Sequence, residues 1–174
     1  VLANGGGTLY VAEDHTLTAT WVIDNPDFNT SIRVLGKGRN RTITQTATNV
    51  DLVRIGESII LQDGAMNDLH LICDIDAGHV ITFGDGITNF DGRRLHCTQN
   101  NPNKHIMYGV FGAGDVGIFN SVFGDCVWRL LPGSAVSGVY IRATNTSFNE
   151  NRWNGGAYYH AETLPFFDIQ VSPA

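Results

Sequence analysis

An irregular repeat of about 23 to 26 residues most constrains the fold of this chain. Four segments align when they are written under one another: residues 66–73, 90–97, 113–120 and 136–143. The alignment predicts one inward column of side chains, formed by Leu71, Leu95, Ile118 and Ile141. It predicts a second column beside the first, formed by Cys73, Cys97, Asn120 and Ala143. Because alternate residues of a strand face the same way, such columns indicate a solenoid whose coils bury their inner faces by stacking.

Short apolar strands that end at or just before a glycine form a second series, out of phase with the first. This series comprises residues 53–56, 80–84, 106–109 and 127–133. Two strand series per period indicate a coil with several strands per turn. Leucine-rich repeats are the main alternative at this period, but the sequence lacks their fixed Leu-x-x-Leu-x-Leu frame and their helical segment. We therefore predict an all-β, single-stranded, right-handed parallel β-helix of about seven coils.

The composition agrees with one β-rich domain that spans residues 1–174. Twenty glycines and few lysines or glutamates suit short strands and tight turns better than helices. No apolar run is long enough to cross a membrane, so we expect no membrane insertion. The formal net charge of −6 argues against nucleic acid as a partner, because its phosphates would be repelled.

Both ends of the sequence predict an incomplete unit. Residues 1–4 read as the last turn of a helix, which would cap the first coil. Residues 166–171 read as one more coil strand with no polar cap. We therefore expect either a fragment of a longer chain or a piece whose ends a partner covers.

The first 45 residues or so resemble the opening of the pectin-lyase-like β-helices, and in style they are similar to bacteriophage tail spikes and polysaccharide depolymerases. The resemblance rests on residues 5–11 (GGGTLYV), 17–23 and 32–40, the last of which contains Gly-Lys-Gly-Arg-Asn. In that family a capping helix leads into a GGT-x-Y-V strand, and G-x-G-x-N closes the first coil. The chain departs from the family at residues 13–15, where a Pro-x-Gly turn is usual. The resemblance implies a virion or extracellular location and a bacterial surface polysaccharide as partner. It also leaves room for a homotrimer formed through segments outside this chain.

Outward positions of the predicted coils carry groups that suit sugars. Aromatic rings stack on the C–H faces of sugars, and planar polar groups bond to sugar hydroxyls. An arginine fork also suits the carboxylates of an acidic polysaccharide. The alternative is that these side chains serve only solubility. These side chains form the predicted wall. The predicted substrate-binding residues in it are His70, Asp74, Arg94, His96, Tyr140 and Arg142.

Glu57 and Asp85 form the candidate catalytic pair. Each follows a glycine that ends a strand of the second series, so stacked strands would place the two side chains one coil apart. That separation is near the gap of about 5 Å between the carboxyl groups of retaining glycosidases. Close carboxyl groups also raise one pKa, which favours a general acid. The alternative is that Asp85-Gly86 is an ordinary turn pair and that Glu57 faces solvent.

Lyase chemistry and metal chemistry have weaker support in the sequence. Asp74 and Asp76 could offer oxygen ligands to calcium beside Arg94 as a base, but no calcium-loop motif surrounds them. No His or Cys pair has zinc-site spacing. We therefore predict no metal and no cofactor, and we favour a glycoside hydrolase over a lyase.

Two function classes remain open at this point. In the first, the chain is a tail-spike-like segment that binds, and in its enzymatic form cleaves, a bacterial surface polysaccharide. In the second, it is a non-catalytic virion or adhesin segment that acts as a rigid spacer or a receptor-binding surface.

Overall fold

The computed structural model describes residues 6–24, 31–37, 41–57, 61–112, 115, 117–144, 148, 150–160 and 164–172. Within these residues every regular element is a β-strand, and every pairing of strands is parallel. The described residues contain no helix that is long and apolar enough to cross a bilayer. The helical end predicted at residues 1–4 lies outside the described residues.

The strands form three six-stranded sheets and one three-stranded sheet. The first sheet contains β1 (Gly7–Val11), β4 (Ile32–Gly36), β8 (Ala65–Asn67), β12 (Asp91–Arg93), β16 (Val122–Gly124) and β19 (Arg152–Asn154). The second contains β2 (His15–Leu17), β5 (Arg41–Gln45), β9 (Leu69–Cys73), β13 (His96–Gln99), β17 (Val127–Leu130) and β20 (Ala157–Tyr159). The third contains β3 (Trp21–Ile23), β6 (Val53–Ile55), β10 (Ile81–Phe83), β14 (Met107–Phe111), β18 (Val139–Thr144) and β21 (Phe167–Ser172). The fourth contains β7 (Leu61–Gln62), β11 (Gly86–Thr88) and β15 (Gly117–Phe119).

The chain visits the sheets in a fixed order and returns to the first sheet one coil further along. This path is a parallel β-helix, as the sequence predicts, but it makes about five turns rather than seven. Most of the coils are longer than the predicted repeat. Hydrogen bonds between neighbouring coils join residues 26, 28, 31 or 32 apart.

The predicted inward column is wrong in its register. Leu71, Leu95, Ile118 and Ile141 are all buried, with at most 1% of each side chain exposed. However, Leu71 lies in the second sheet, Ile118 in the fourth and Ile141 in the third, while Leu95 lies between β12 and β13. Because the predicted period is shorter than the coil, each successive residue of the column falls at an earlier position in its coil, and so in a different sheet. The sequence does not reveal this shift in register, because every sheet contributes a short apolar strand of similar pattern.

The second predicted series agrees better with the structure. Three of its members coincide with β6, β10 and β14, which are neighbours in the third sheet. The fourth member begins at Val127, which belongs to β17 of the second sheet instead. The strand predicted near the end is present as β21, where Ile169 and Val171 are exposed.

Asn120 corrects the second predicted column. Cys73, Cys97 and Ala143 are buried, but Asn120 is exposed at a corner. Asp63, Asn89 and Asn120 occupy this corner in three coils with φ of 54°, 53° and 46°. Asn120 Nδ2 donates to Asn89 Oδ1 (2.6 Å), and Asn89 Nδ2 donates to Asp63 Oδ1 (2.9 Å). Asn and Asp tolerate this left-handed conformation, so they form a corner ladder rather than core.

Buried glutamines hold the loops between the second and third sheets. Gln45 and Gln99 point inward and are fully buried. Gln99 Nε2 donates to the carbonyls of Gly78 and His105 (both 3.0 Å), and its Oε1 accepts from the N–H of Asn101 (3.0 Å). Gln45 makes the equivalent three bonds two coils earlier. Each amide therefore supplies hydrogen bonds to backbone groups of the loops around it.

Inner side chains of the second sheet fix which residues face outward. Ile43, Leu71, Cys97 and Trp128 stand opposite one another in β5, β9, β13 and β17, and all are buried. Because side chains alternate along a strand, the residues between these positions face solvent. The outer face of the second sheet is defined here by Thr42, Thr44, His70, Ile72, His96, Thr98, Val127, Arg129 and Tyr159.

Candidate functional site

Two predicted sugar-binding histidines lie side by side on the outer face of the second sheet. His96 pairs with His70 in the register of β13 and β9. Their imidazole rings stack with centroids 4.1 Å apart and planes 8° from parallel. His70 Nε2 lies 3.3 Å from Thr98 Oγ1. The sequence placed both histidines in the wall, and the structure brings them into direct contact.

Both rings are neutral at neutral pH. Burial, together with the smaller effect of a protonated His96, lowers the pKa of His70 to about 4. Burial also lowers the pKa of His96, with a second contribution from the nearby guanidinium of Arg129. A neutral imidazole has one donor and one acceptor nitrogen. In the described part of the chain neither ring nitrogen of His96 has a hydrogen-bond partner, and neither is buried. His96 can therefore donate a hydrogen bond to a ligand hydroxyl or accept one from it.

Arg94 and Asp74 flank this face, but Arg94 is already engaged. Arg94 lies at the corner between β12 and β13 with φ of 51°. Its Nε and Nη2 donate to both carboxylate oxygens of Asp68 in the preceding coil (2.6 and 2.8 Å). Asp74 follows β9 and is exposed. The paired fork of Arg94 braces two coils, so it is poorly placed to hold a ligand carboxylate.

Tyr140 and Arg142 lie on the third sheet, apart from the two histidines. The predicted wall is therefore divided between two sheets. The Tyr140 ring stacks against His105 and Tyr108 (centroids 5.1 and 5.7 Å apart). Arg142 is exposed on the open outer side of β18, opposite Val110 and Gln170.

The rings around Tyr140 continue as an aromatic ladder of His79, Tyr108, His105 and Tyr140. His79 and Tyr108 are the closest pair, with centroids 4.4 Å apart and planes within 6°. His79 Nδ1 accepts from the backbone N–H of His105 (2.9 Å), and His105 Nδ1 donates to the carbonyl of Ser137 (2.8 Å). These bonds fix both tautomers. The ring faces are occupied by neighbouring rings, so the ladder is suited to joining coils rather than to stacking on a sugar.

An open groove runs over the C-terminal part of the outer face of the second sheet. Its volume is about 830 Å³. Apolar walls come from Val127, Leu130 and Pro132. The polar and aromatic lining comprises His96, Arg129, Tyr158, Tyr159 and His160. None of the described lining residues is acidic, although the chain has 17 acidic and 11 basic residues.

Sequence reasoning missed Arg129 and Tyr159, which stand beside each other in β17 and β20. Both are exposed, Tyr159 to 57%. The correct register would have found them, because they continue the outward position of Ile72 and Thr98. The predicted 23-residue spacing leads from His96 to positions in other sheets, the last of which is Arg142 in β18.

The candidate catalytic residues Glu57 and Asp85 lie in a different part of the coil, after β6 and β10. Ile55 pairs with Phe83, so Glu57 and Asp85 occupy equivalent positions of neighbouring coils. The backbone N–H of Asp85 donates to the carbonyl of Gly56 (2.6 Å). Glu57 Oε1 accepts from Arg54 Nη1 (3.0 Å), and the Glu57 side chain is 43% exposed. A catalytic role for this pair stays a prediction.

The remaining chemistry of the described residues is sparse. They contain no cluster of three or more His, Cys, Asp or Glu side chains that could hold a metal ion. Comparisons with protein-family models, with curated proteins and with solved structures found no match for this chain.

Proposed function

We propose that this β-helix binds a bacterial surface polysaccharide in the groove on the outer face of its second sheet. One observation carries the proposal: the exposed ring of Tyr159 stands beside Arg129 and near the neutral imidazole of His96 in one open groove. An exposed aromatic ring offers a face to the C–H groups of a sugar, and planar polar groups bond to its hydroxyls. An open groove also admits a polymer whose chain extends beyond the site at both ends.

The setting that fits this function is a phage tail spike or a related extracellular fibre. Support comes from the parallel β-helix itself and from the pectin-lyase-like pattern of residues 5–11, 17–23 and 32–40. A stack of fully paired strands is a stiff support that resists unfolding and holds a binding face in place. The partner in this proposal is a glycan on a bacterial surface, and the location is the virion or the extracellular space.

Cleavage of the bound glycan is a separate part of the proposal. Glu57 and Asp85 are the carboxylates that a hydrolase of this kind would use, one coil apart. They belong to the turns that follow the third sheet, whereas the groove lies on the second sheet. Binding and cleavage can therefore be separated by experiment, and a non-catalytic adhesin is the second candidate.

The proposal is tested with the purified chain on an array of bacterial capsular and O-antigen polysaccharides. We expect saturable binding to a small, structurally related set of glycans. Binding to none of them would contradict the proposal and leave the rigid-spacer alternative standing. Release of reducing ends during incubation with a bound glycan would identify a depolymerase, and Glu57→Gln and Asp85→Asn should then abolish the release while binding persists.

A further inference from the structure

The charge of the groove departs from the charge of the chain. A chain with a net charge of −6 would be expected to place carboxylates along a large surface groove. The described lining of this groove contains one guanidinium, two histidines and no carboxylate. The described side chains of the groove therefore favour a negatively charged ligand.

Arg129 differs from the arginines that serve the fold. Arg54, Arg93 and Arg94 each form an ion pair with a carboxylate on their own or a neighbouring turn. Arg129 has no ion pair and no side-chain hydrogen bond to any described residue. Its five N–H donors are free and exposed between Thr98 and Tyr159.

We infer that the groove recognises an anionic sugar, with Arg129 holding its carboxylate or sulfate group. A planar guanidinium binds such oxyanions through two parallel N–H···O bonds. His96 and Tyr159 stand on either side to bond to hydroxyls of the same or the next sugar. The inference rests on the proposed function, since it names the class of polysaccharide that the groove would take.

The neutral state of His96 sharpens this inference. Burial and the charge of Arg129 hold the pKa of His96 below its usual value, so the imidazole contributes no charge at neutral pH. Arg129 carries the one guanidinium in the described lining of the groove. Recognition of the anion should depend on this one side chain.

The test uses the same array of bacterial polysaccharides, sorted into neutral, carboxylated and sulfated glycans. We expect wild-type protein to prefer acidic glycans, and Arg129→Gln to weaken their binding about tenfold. Arg129→Lys should recover part of the loss, because it keeps the charge without the fork. Arg33→Gln, which removes an exposed arginine from the first sheet, is the matched control and should leave binding unchanged.

The outcomes separate this inference from the proposed function. Carboxyl reduction or desulfation of a bound glycan should weaken binding as much as Arg129→Gln does. The modified glycan and the Arg129→Gln protein together should show no further loss of affinity. Raising the ionic strength from about 0.05 M to about 0.5 M should weaken wild-type binding but hardly affect Arg129→Gln. Equal binding of neutral glycans, or full affinity in Arg129→Gln, would overturn the inference while the proposed function stands. An array with no bound glycan would overturn both.

Discussion

Acidification from pH 7.5 to pH 4.5 should destabilise this β-helix by about 3–6 kcal/mol. Burial lowers the pKa of His70 and of His79 to about 4, and it also lowers the pKa of His96 and of His105. The unfolded chain binds protons on these groups below about pH 6.5. Stability from the four histidines is therefore present above pH 6.5 and is lost as the pH falls from 6.5 towards 4.

The surroundings of His79 explain why its neutral form is favoured. Its Nδ1 accepts the backbone N–H of His105, and protonation at that nitrogen would break the bond. Lys104 and His105 oppose a positive charge on His79, and Asp51 partly offsets them. The charge of Asp168 likewise favours a protonated His105 and so raises its pKa. Burial is the largest cause for both rings, so the direction of the pKa shift does not depend on the carboxylates.

Two variants isolate this effect from the titration of other groups. His70→Gln places an amide near the position of Nε2, and His79→Asn places an oxygen near the position of Nδ1, so each can keep its hydrogen bond without titrating. Urea unfolding followed by circular dichroism gives the loss of stability between pH 7.5 and pH 4.5. Each variant should lose about 1–2 kcal/mol less than wild type over this interval, a figure reduced from the full pKa shift because the rings are partly exposed. Equal losses in wild type and both variants would contradict the account.

Gln99→Leu should cost about 3–6 kcal/mol of unfolding free energy. The substitution keeps most of the buried volume but leaves the carbonyl of Gly78 and the N–H of Asn101 without their partner. The carbonyl of His105 keeps only the long bond from the N–H of Val80 (3.4 Å). Each unsatisfied buried polar group costs about 1–3 kcal/mol, and Gln99 is fully buried. The loop between the second and third sheets should therefore loosen first.

The control for this change is Asn100→Leu at the next position, which is partly exposed. It should cost no more than about 0.5 kcal/mol, as is usual for a surface substitution. Denaturant unfolding of both variants measures the difference. A Gln99→Leu protein as stable as the Asn100→Leu protein would show that the buried amide does not hold the loop.

Alternation of side chains could be read from the sequence, whereas the register between coils could not. Leu71, Leu95, Ile118 and Ile141 are all core residues, as the alternation predicts, because burial depends only on the pattern within one strand. Which strand stacks on which depends on the length of each coil, and that length varies with the turns. A fixed repeat that is shorter than most coils therefore predicts the fold correctly but assigns the wrong stacking partners in neighbouring coils.

The same error in register determines which of the predicted site residues share a face in the structure. His70 and His96 were correctly predicted to share one face because their spacing is close to one true coil. The predicted repeat puts Tyr140 on the same wall and misses Arg129 and Tyr159, because the next two coils are longer. Arg94 illustrates a second limit: its outward position could be predicted, but not its bidentate pair with Asp68.

The central claim is that the outer face of the second sheet is the glycan-binding surface, and one pair of variants tests it most directly. Tyr159→Ala removes the exposed ring from the groove, and Tyr10→Ala removes an equally exposed ring from the first sheet. Titration calorimetry with a glycan bound by wild type should show affinity weakened about tenfold by Tyr159→Ala and unchanged by Tyr10→Ala. Unchanged affinity in Tyr159→Ala, with glycan binding intact, would place the binding surface elsewhere and contradict the account.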